Sequence, residues 1–225
     1  MNENEHRFLT GPLKWRLTDD YCHDGIPLAN GLLGVLVWGS ENVIRLTLNR
    51  ADFWDHRGGM EWTEEATYTN MLRWIRAGDA ASLYRAFEGG AALKRPTMLP
   101  MGRVELRFPD GYKVKHAALD IASGEARIEM EGASNSYSLK LCVLMEDPVL
   151  AVSIQGKKAG VPNCPEIKAR PSYEVSTIVS KYFELNKIPA PKCFHDGELK
   201  GWIQELPEDE PACIACRDYP AAGGT

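Results

Sequence analysis

The stretch Leu32-Leu-Gly-Val-Leu-Val-Trp38, Gly39-Ser-Glu-Asn42, Val43-Ile-Arg-Leu-Thr-Leu48 decides the fold. Two runs rich in β-branched and large apolar residues flank a short polar turn with a glycine, the composition of a β-hairpin. The signal recurs downstream. Val104, Leu106 and Phe108 alternate with Arg103, Glu105 and Arg107, and Pro109-Asp-Gly111 turns the chain into Tyr112-Lys-Val-Lys-His116. Ala126, Ile128 and Met130 alternate with Arg127, Glu129 and Glu131. Leu139, Leu141 and Val143 keep the same period, and Asp147-Pro148 leads into Val149-Leu-Ala-Val-Ser-Ile154. A period of two puts the apolar residues of each run on one side of a strand. Strands of this kind at regular spacing predict a mainly-β fold of antiparallel sheets stacked as a sandwich.

One stretch departs from this period. Over residues 63–88, Met71, Leu72, Trp74, Ile75, Leu83 and Phe87 follow helical spacing, and Gly78-Asp79 breaks it, which predicts a short insertion of two helices between strands. Beyond Gly156, Pro162, Pro165, Pro171, Pro189 and Pro191 punctuate the chain. The best strands there are Glu174-Val-Ser-Thr-Ile-Val179, Leu199-Lys-Gly-Trp-Ile-Gln204 and Ala212-Cys-Ile-Ala215. Residues 1–225 read as a single β-sandwich domain, best supported over 25–155 and weaker over 156–225, which ends at Tyr219-Pro-Ala-Ala-Gly-Gly-Thr225 as if cut before a further domain.

A chain of 225 residues, 44% hydrophobic and 25% charged, can bury a sizeable core and carries no signature of disorder. Its formal net charge is -5 and its Lys and Arg are scattered along the sequence, so no nucleic-acid partner is expected. No apolar run reaches the ~18 residues that span a bilayer, so no membrane partner is expected either. Met1-Asn-Glu-Asn-Glu-His-Arg7 lacks the form of a signal peptide, which reads as cytoplasmic, or as secreted or periplasmic if the N-terminus was trimmed. Cys22, Cys142, Cys164, Cys193, Cys213 and Cys216 are too few for a disulfide scaffold and are expected mostly as free thiols, Cys142 as a buried small hydrophobe.

Cys213-Ile-Ala-Cys216 with Cys193 and His195 has the composition of a zinc site, but cysteines three apart on an extended strand point to opposite faces. No metal and no cofactor is expected. His6, His23, His56 and His116 have no spaced partner. Asp19-Asp20 read as solvated loop carboxylates, and Glu61, Glu64 and Glu65 as acids at a helix start. Neither a Gly-x-Ser-x-Gly elbow nor a phosphate-binding glycine loop is present. The densest cluster is Asn49-Arg-Ala-Asp-Phe-Trp-Asp-His-Arg-Gly-Gly59, directly after a strand. Asn49, Trp54, Asp55, His56 and Arg57 offer a ring for the C–H face of a pyranose and donors and acceptors for its hydroxyls. The alternative is a loop locked by its own ion pairs, with Trp54 as a core plug.

The run Gly25-Ile-Pro-Leu-Ala-Asn-Gly-Leu-Leu-Gly-Val-Leu-Val-Trp-Gly39, with Ile44-Arg-Leu-Thr-Leu-Asn49 and Trp54, resembles the N-terminal domain of glycoside hydrolases of the family 65 and family 95 kind, the second including α-L-fucosidases. Those proteins carry a Pro-Leu-Gly-Asn-Gly-x-Leu-Gly stretch, then a Leu-Asn-Glu segment and a Trp. Here Pro27, Leu28, Asn30, Gly31, Leu33 and Gly34 fit the first, Leu48-Asn49 the second and Trp54 the third. Leu99-Pro-Met-Gly102, Leu119-Asp120, Asp147-Pro-Val-Leu150 and Gly201-Trp-Ile-Gln204 are similar in order and spacing. Ala29, Arg50 and Asp55-His-Arg-Gly-Gly59 depart from the pattern, so fucosidase activity is one option among several sugars. The resemblance implies a β-super-sandwich joined to a downstream helical (α/α)6 barrel. It also implies hydrolysis of a glycosidic bond with inversion, a carbohydrate substrate, and an acid and base on the barrel, which leaves this chain no catalytic residue and has Asn49, Trp54, Asp55, His56 and Arg57 line either the sugar pocket or the interface with the barrel. Two other readings compete: a stand-alone carbohydrate-binding or scaffold module, and a small complete enzyme built on Asp52, Asp55 and His56.

Overall fold

A computed structural model describes residues 11–60, 62–88, 94–133, 135–156 and 165–219. The expected hairpin is formed by β3 (Leu33–Trp38) and β4 (Val43–Arg50), with Val35 opposite Leu48 and Val37 opposite Leu46. β2 (Ile26–Ala29), β7 (Gly102–Arg107) and β12 (Glu166–Pro171) complete an antiparallel first sheet in the order β12-β7-β4-β3-β2. The second sheet has the order β1-β8-β9-β10-β11, from β1 (Leu13–Trp15), β8 (Lys113–Asp120), β9 (Glu125–Glu131), β10 (Ser136–Val143) and β11 (Leu150–Gly156). Each sheet turns its apolar face inward. Val35, Val37, Leu46, Val104 and Leu106 meet Ile128, Met130, Leu139 and Leu141 in one buried cluster. Each such side chain contributes ~1.5–3 kcal/mol by leaving water, which is set against the entropy of ordering the strands.

The Asn30-Gly31 pair between β2 and β3 is a clamp. Asn30 Oδ1 accepts from the backbone N–H groups of Leu32 and Leu33, while its Nδ2 donates to the carbonyls of Leu144 and Asp147 at 2.8 and 2.9 Å. The β2–β3 turn of one sheet is thereby tied to the β10–β11 turn of the other. Gly31 takes φ 92°, a conformation that favours glycine. At the far end of the hairpin, Asp19 accepts from Ser40 N and Oγ and from Glu41 N, and pairs with Arg45 at 2.6 Å. Asp19 is therefore engaged in turn geometry, not a solvated carboxylate.

The helical insertion is α1 (Tyr68–Ala77) and α2 (Ala80–Phe87). Thr67 caps α1 by accepting from Asn70 N, Gly78 ends it at φ 68°, and Asp79 caps α2. Trp74 packs edge-on to Phe87, which also meets Trp62.

The expected strand at residues 174–179 is instead helical: α3 (Ser172–Val175) leads into α4 (Thr177–Leu185). The β-branched residues suggest extension, yet Ser176 accepts from Val179 N as an N-cap, and Val179, Tyr182 and Phe183 turn to the core at helical spacing. Burial of this face overrides local propensity. β13 (Lys192–Asp196), β14 (Leu199–Gln204) and β15 (Ala212–Arg217) form a third sheet. Its Trp202, with Phe183, Ile188 and Leu206, belongs to the same buried cluster as the sandwich, so residues beyond 165 share the main core. Gly102 makes this docking possible: at φ 144°, a Cβ there would lie 2.4 Å from Arg170 O and 2.7 Å from the Trp202 ring. Cys142 is half-buried on the outward side of β10, whereas its neighbour Leu141 is buried. His6, Glu61, Cys164, Pro162 and the tail from residue 220 lie outside the described residues. No helix among the described residues is long and apolar enough to cross a membrane.

Candidate functional site

The chain leaves β4 at Arg50 and turns through Ala51-Asp52 into β5 (Trp54–Asp55), which pairs with β6 (Thr97–Met98). Alternation along this segment separates its side chains. Phe53 is 2% exposed and plugs the core, the role weighed for Trp54. Trp54 is half-buried, its Nε1 donating to Ala51 O at 2.8 Å. Asp55 is fully buried. His56 has 63% of its side chain exposed.

Asp55 and Arg57 form a structural lock. Arg57 donates through Nε and Nη2 to the two Asp55 oxygens at 2.8 and 2.9 Å, and its Nη2 also reaches Asn186 O. Lys94 approaches Asp55 at 2.8 Å from the strand-entry segment before β6, and Tyr182 Oη lies at 3.5 Å. Burial would raise the Asp55 pKa, but the hydrogen bonds from Arg57 and Lys94 and the Arg57 charge hold it well below the usual carboxylate range. Of the clustered residues, these two face inward and bind β5 to α4.

Trp54 and His56 face outward together, with ring centroids 6.2 Å apart and planes tilted by 25°. Asp209, from the turn between β14 and β15, accepts from His56 N at 3.0 Å and meets His56 Nδ1 at 2.8 Å. The backbone hydrogen bond and then the imidazole contact lower the Asp209 pKa. An ionised carboxylate on Nδ1 favours the tautomer with its proton there, leaving Nε2 as an acceptor on an exposed ring. The corner thus presents an indole face, an oriented imidazole and a carboxylate. Asp52 is occupied by Arg50, at 2.9 and 2.6 Å, and these hydrogen bonds lower its pKa. Asn49 stands apart on the outer face of β4, opposite Gly34. Among the described residues it takes no part in the hydrogen bonds of the corner.

No family model matches the chain, and no curated protein matches it.

Asp209 is the residue that sequence reasoning missed, because 153 positions separate it from His56 and the acidic Glu208-Asp209-Glu210 turn carries no spacing signal. The zinc reading of the third sheet meets a register obstacle. Cys216 pairs with Lys200 and Cys213 with Ile203, so the two cysteines occupy opposite faces of β15. Among the described residues no three His, Cys, Asp or Glu side chains gather as metal ligands. An open cleft of about 650 Å³, lined by Trp15, Asp20, Glu41, Lys115 and His116 among others, lies by the β3–β4 turn, at the opposite end of β4 from Trp54.

Proposed function

We propose that this chain is the N-terminal, non-catalytic β-domain of a glycoside hydrolase, shaping a carbohydrate site beside a helical catalytic domain, with an α-L-fucosidase-like substrate as one option. The stacked sheets, the helical insertion and the Asn30 clamp support the reading as far as fold goes. The observation that carries the functional part is the Trp54–His56–Asp209 corner. The half-buried Trp54 indole suits the apolar side of a pyranose, while His56 Nε2 and Asp209 suit its hydroxyls.

The electrostatics favour binding over cleavage. Inverting hydrolysis needs one carboxyl group that is protonated at working pH and a second that is ionised across a water. Asp52, Asp55 and Asp209 all have lowered pKa values, so the carboxylates of this segment are held ionised and none suits the general acid. The small-enzyme reading is left without a carboxylic acid to donate the proton.

The test compares the 225-residue chain with the protein that includes the downstream helical domain, on a panel of aryl α- and β-glycosides. Turnover is expected only with the helical domain present. A reading frame that stops after Thr225 would replace this proposal with the stand-alone carbohydrate-binding module. Turnover by the isolated chain, abolished by Asp52→Asn or Asp55→Asn, would restore the small enzyme.

A further inference from the structure

Five of the Lys and Arg residues that are scattered in sequence converge on the outer face of the first sheet. In register, Arg45 lies opposite Glu105 and Glu105 opposite Lys168, while Thr47 lies opposite Arg103 and Arg103 opposite Arg170. Arg107 lies opposite Glu166. Five cations thus share a face with three carboxylates, Glu105, Glu166 and the Asp19 bound to Arg45, in a chain whose overall charge is negative.

Glu105 is at the centre, with its side chain 1% exposed. Arg103 holds it at 2.7 Å, Arg107 donates to its other oxygen, and Arg170 reaches it only at 3.5 Å. One carboxylate offers about four lone-pair sites, whereas each guanidinium brings five N–H donors, so Glu105 cannot satisfy three arginines. Arg170 is the least satisfied. Besides the single long contact, its Nε, like that of Arg107, has no hydrogen-bond partner among the described residues. Arg103 and Arg170 are also directly cross-strand, an arrangement in which like charges repel at close range. Burial is the largest cause lowering the Arg103 pKa and outweighs Glu105, with Arg170 and Arg45 as smaller contributions in the same direction. Both side chains keep solvent contact, at 21% and 26% exposure. Thr47, in the row of Arg103 and Arg170, accepts through Oγ1 from Trp38 Nε1 of the neighbouring row, which leaves its hydroxyl proton to donate.

We propose that the Arg103–Arg170 pair, beside Thr47, binds a small oxyanion: a free inorganic anion or the charged group of an acidic sugar. Two guanidinium planes and a hydroxyl match the charge and acceptor geometry of phosphate or carboxylate. The bound anion removes the cross-strand repulsion that Glu105 leaves. The site is independent of the Trp54 corner and does not rest on the glycoside hydrolase reading.

The test titrates inorganic phosphate, glucuronate and neutral glucose into the full 225-residue chain by calorimetry, with chloride balancing ionic strength. Saturable one-to-one binding of phosphate, glucuronate or both is expected at about millimolar concentration, with no response to glucose at this face. Arg170→Ala should weaken it roughly tenfold or more, and Arg170→Lys, which keeps the charge but not the planar fork, should fall between. Glu105→Gln, at a temperature where the variant remains folded, should tighten binding by removing the competing carboxylate. Absence of saturable binding by both anions overturns the proposal. So does equal affinity in the wild type and a folded Arg170→Ala variant.

Discussion

Replacing Asp55 by alanine tests whether the Asp55–Arg57–Lys94 cluster is a lock rather than part of an open site. The Asp55 side chain is fully buried, while Arg57 and Lys94 are 17% and 29% exposed. Removing one partner of a buried ion pair costs about 3–5 kcal/mol, because the remaining charges lose their compensation out of water. Arg57 and Lys94 keep some hydration, which places the expected cost near the lower end, about 3 kcal/mol. With a urea slope of ~3 kcal/mol/M for a chain of this size, the midpoint should fall by about 1 M. The melting temperature should drop by roughly 6–12 °C. Asp55→Asn, which keeps the shape but not the charge, should lose somewhat less. The pH dependence follows from the lowered pKa. The native carboxylate titrates below its unfolded value of about 3.9, so its stabilisation is complete above that value and disappears as pH falls through the native pKa. The gap between wild type and Asp55→Asn should therefore narrow below about pH 4. Urea melts of both proteins at pH 7 and pH 3.5 measure this. Wild-type stability in Asp55→Ala, within about 0.5 kcal/mol, would refute the lock.

Asn30→Ala removes both halves of the inter-sheet clamp and should cost about 2 kcal/mol. Hydrogen exchange should quicken in the β10–β11 turn around Leu144, and an unchanged rate there would contradict the clamp. Gly102→Ala forces a Cβ against Arg170 O and the Trp202 ring at a positive φ, and should cost at least about 2–3 kcal/mol. A thermal melt equal to wild type would show that the third sheet does not dock through Trp202. Asp209→Asn weakens the partner of His56 on an exposed turn. It should leave stability within about 1 kcal/mol of wild type while reducing any sugar affinity of the corner, read by isothermal titration.

The sandwich was legible wherever strands bury one face and expose the other. β7 and β9 state their inward residues by alternation, and the register places Val104 and Leu106 on the core side as that pattern requires. Legibility failed where tertiary burial overrode local preference. Thr177, Ile178 and Val179 favour extension one by one, yet α4 forms because Val179, Tyr182 and Phe183 have a core to meet. The candidate site was half legible. The density of polar and aromatic groups after β4 pointed to the segment that holds the Trp54–His56 corner, but alternation around Asp55 decides which side chains look out. That phase depends on Phe53 entering the core, which the sequence alone leaves open between Phe53 and Trp54. Asp209, and the convergence of Arg103 with Arg170, depend on which strands become neighbours, information carried by no local pattern.

In the proposed function the Trp54–His56–Asp209 corner binds carbohydrate for a catalytic domain that performs the chemistry. The most direct measurement is steady-state kinetics of the protein carrying the helical domain, with Trp54→Ala and His56→Ala variants, alongside thermal melts of the isolated 225-residue chain. Loss of an indole face or of an oriented acceptor removes about 1–2 kcal/mol of sugar contact, so kcat/KM should fall roughly 5- to 30-fold in each variant. The melting temperature of the isolated chain should stay within about 2–3 °C of wild type, since both side chains lie outside the core. Unchanged kinetics in both variants, or a loss of activity matched by an equal loss of stability in the isolated chain, would contradict the account.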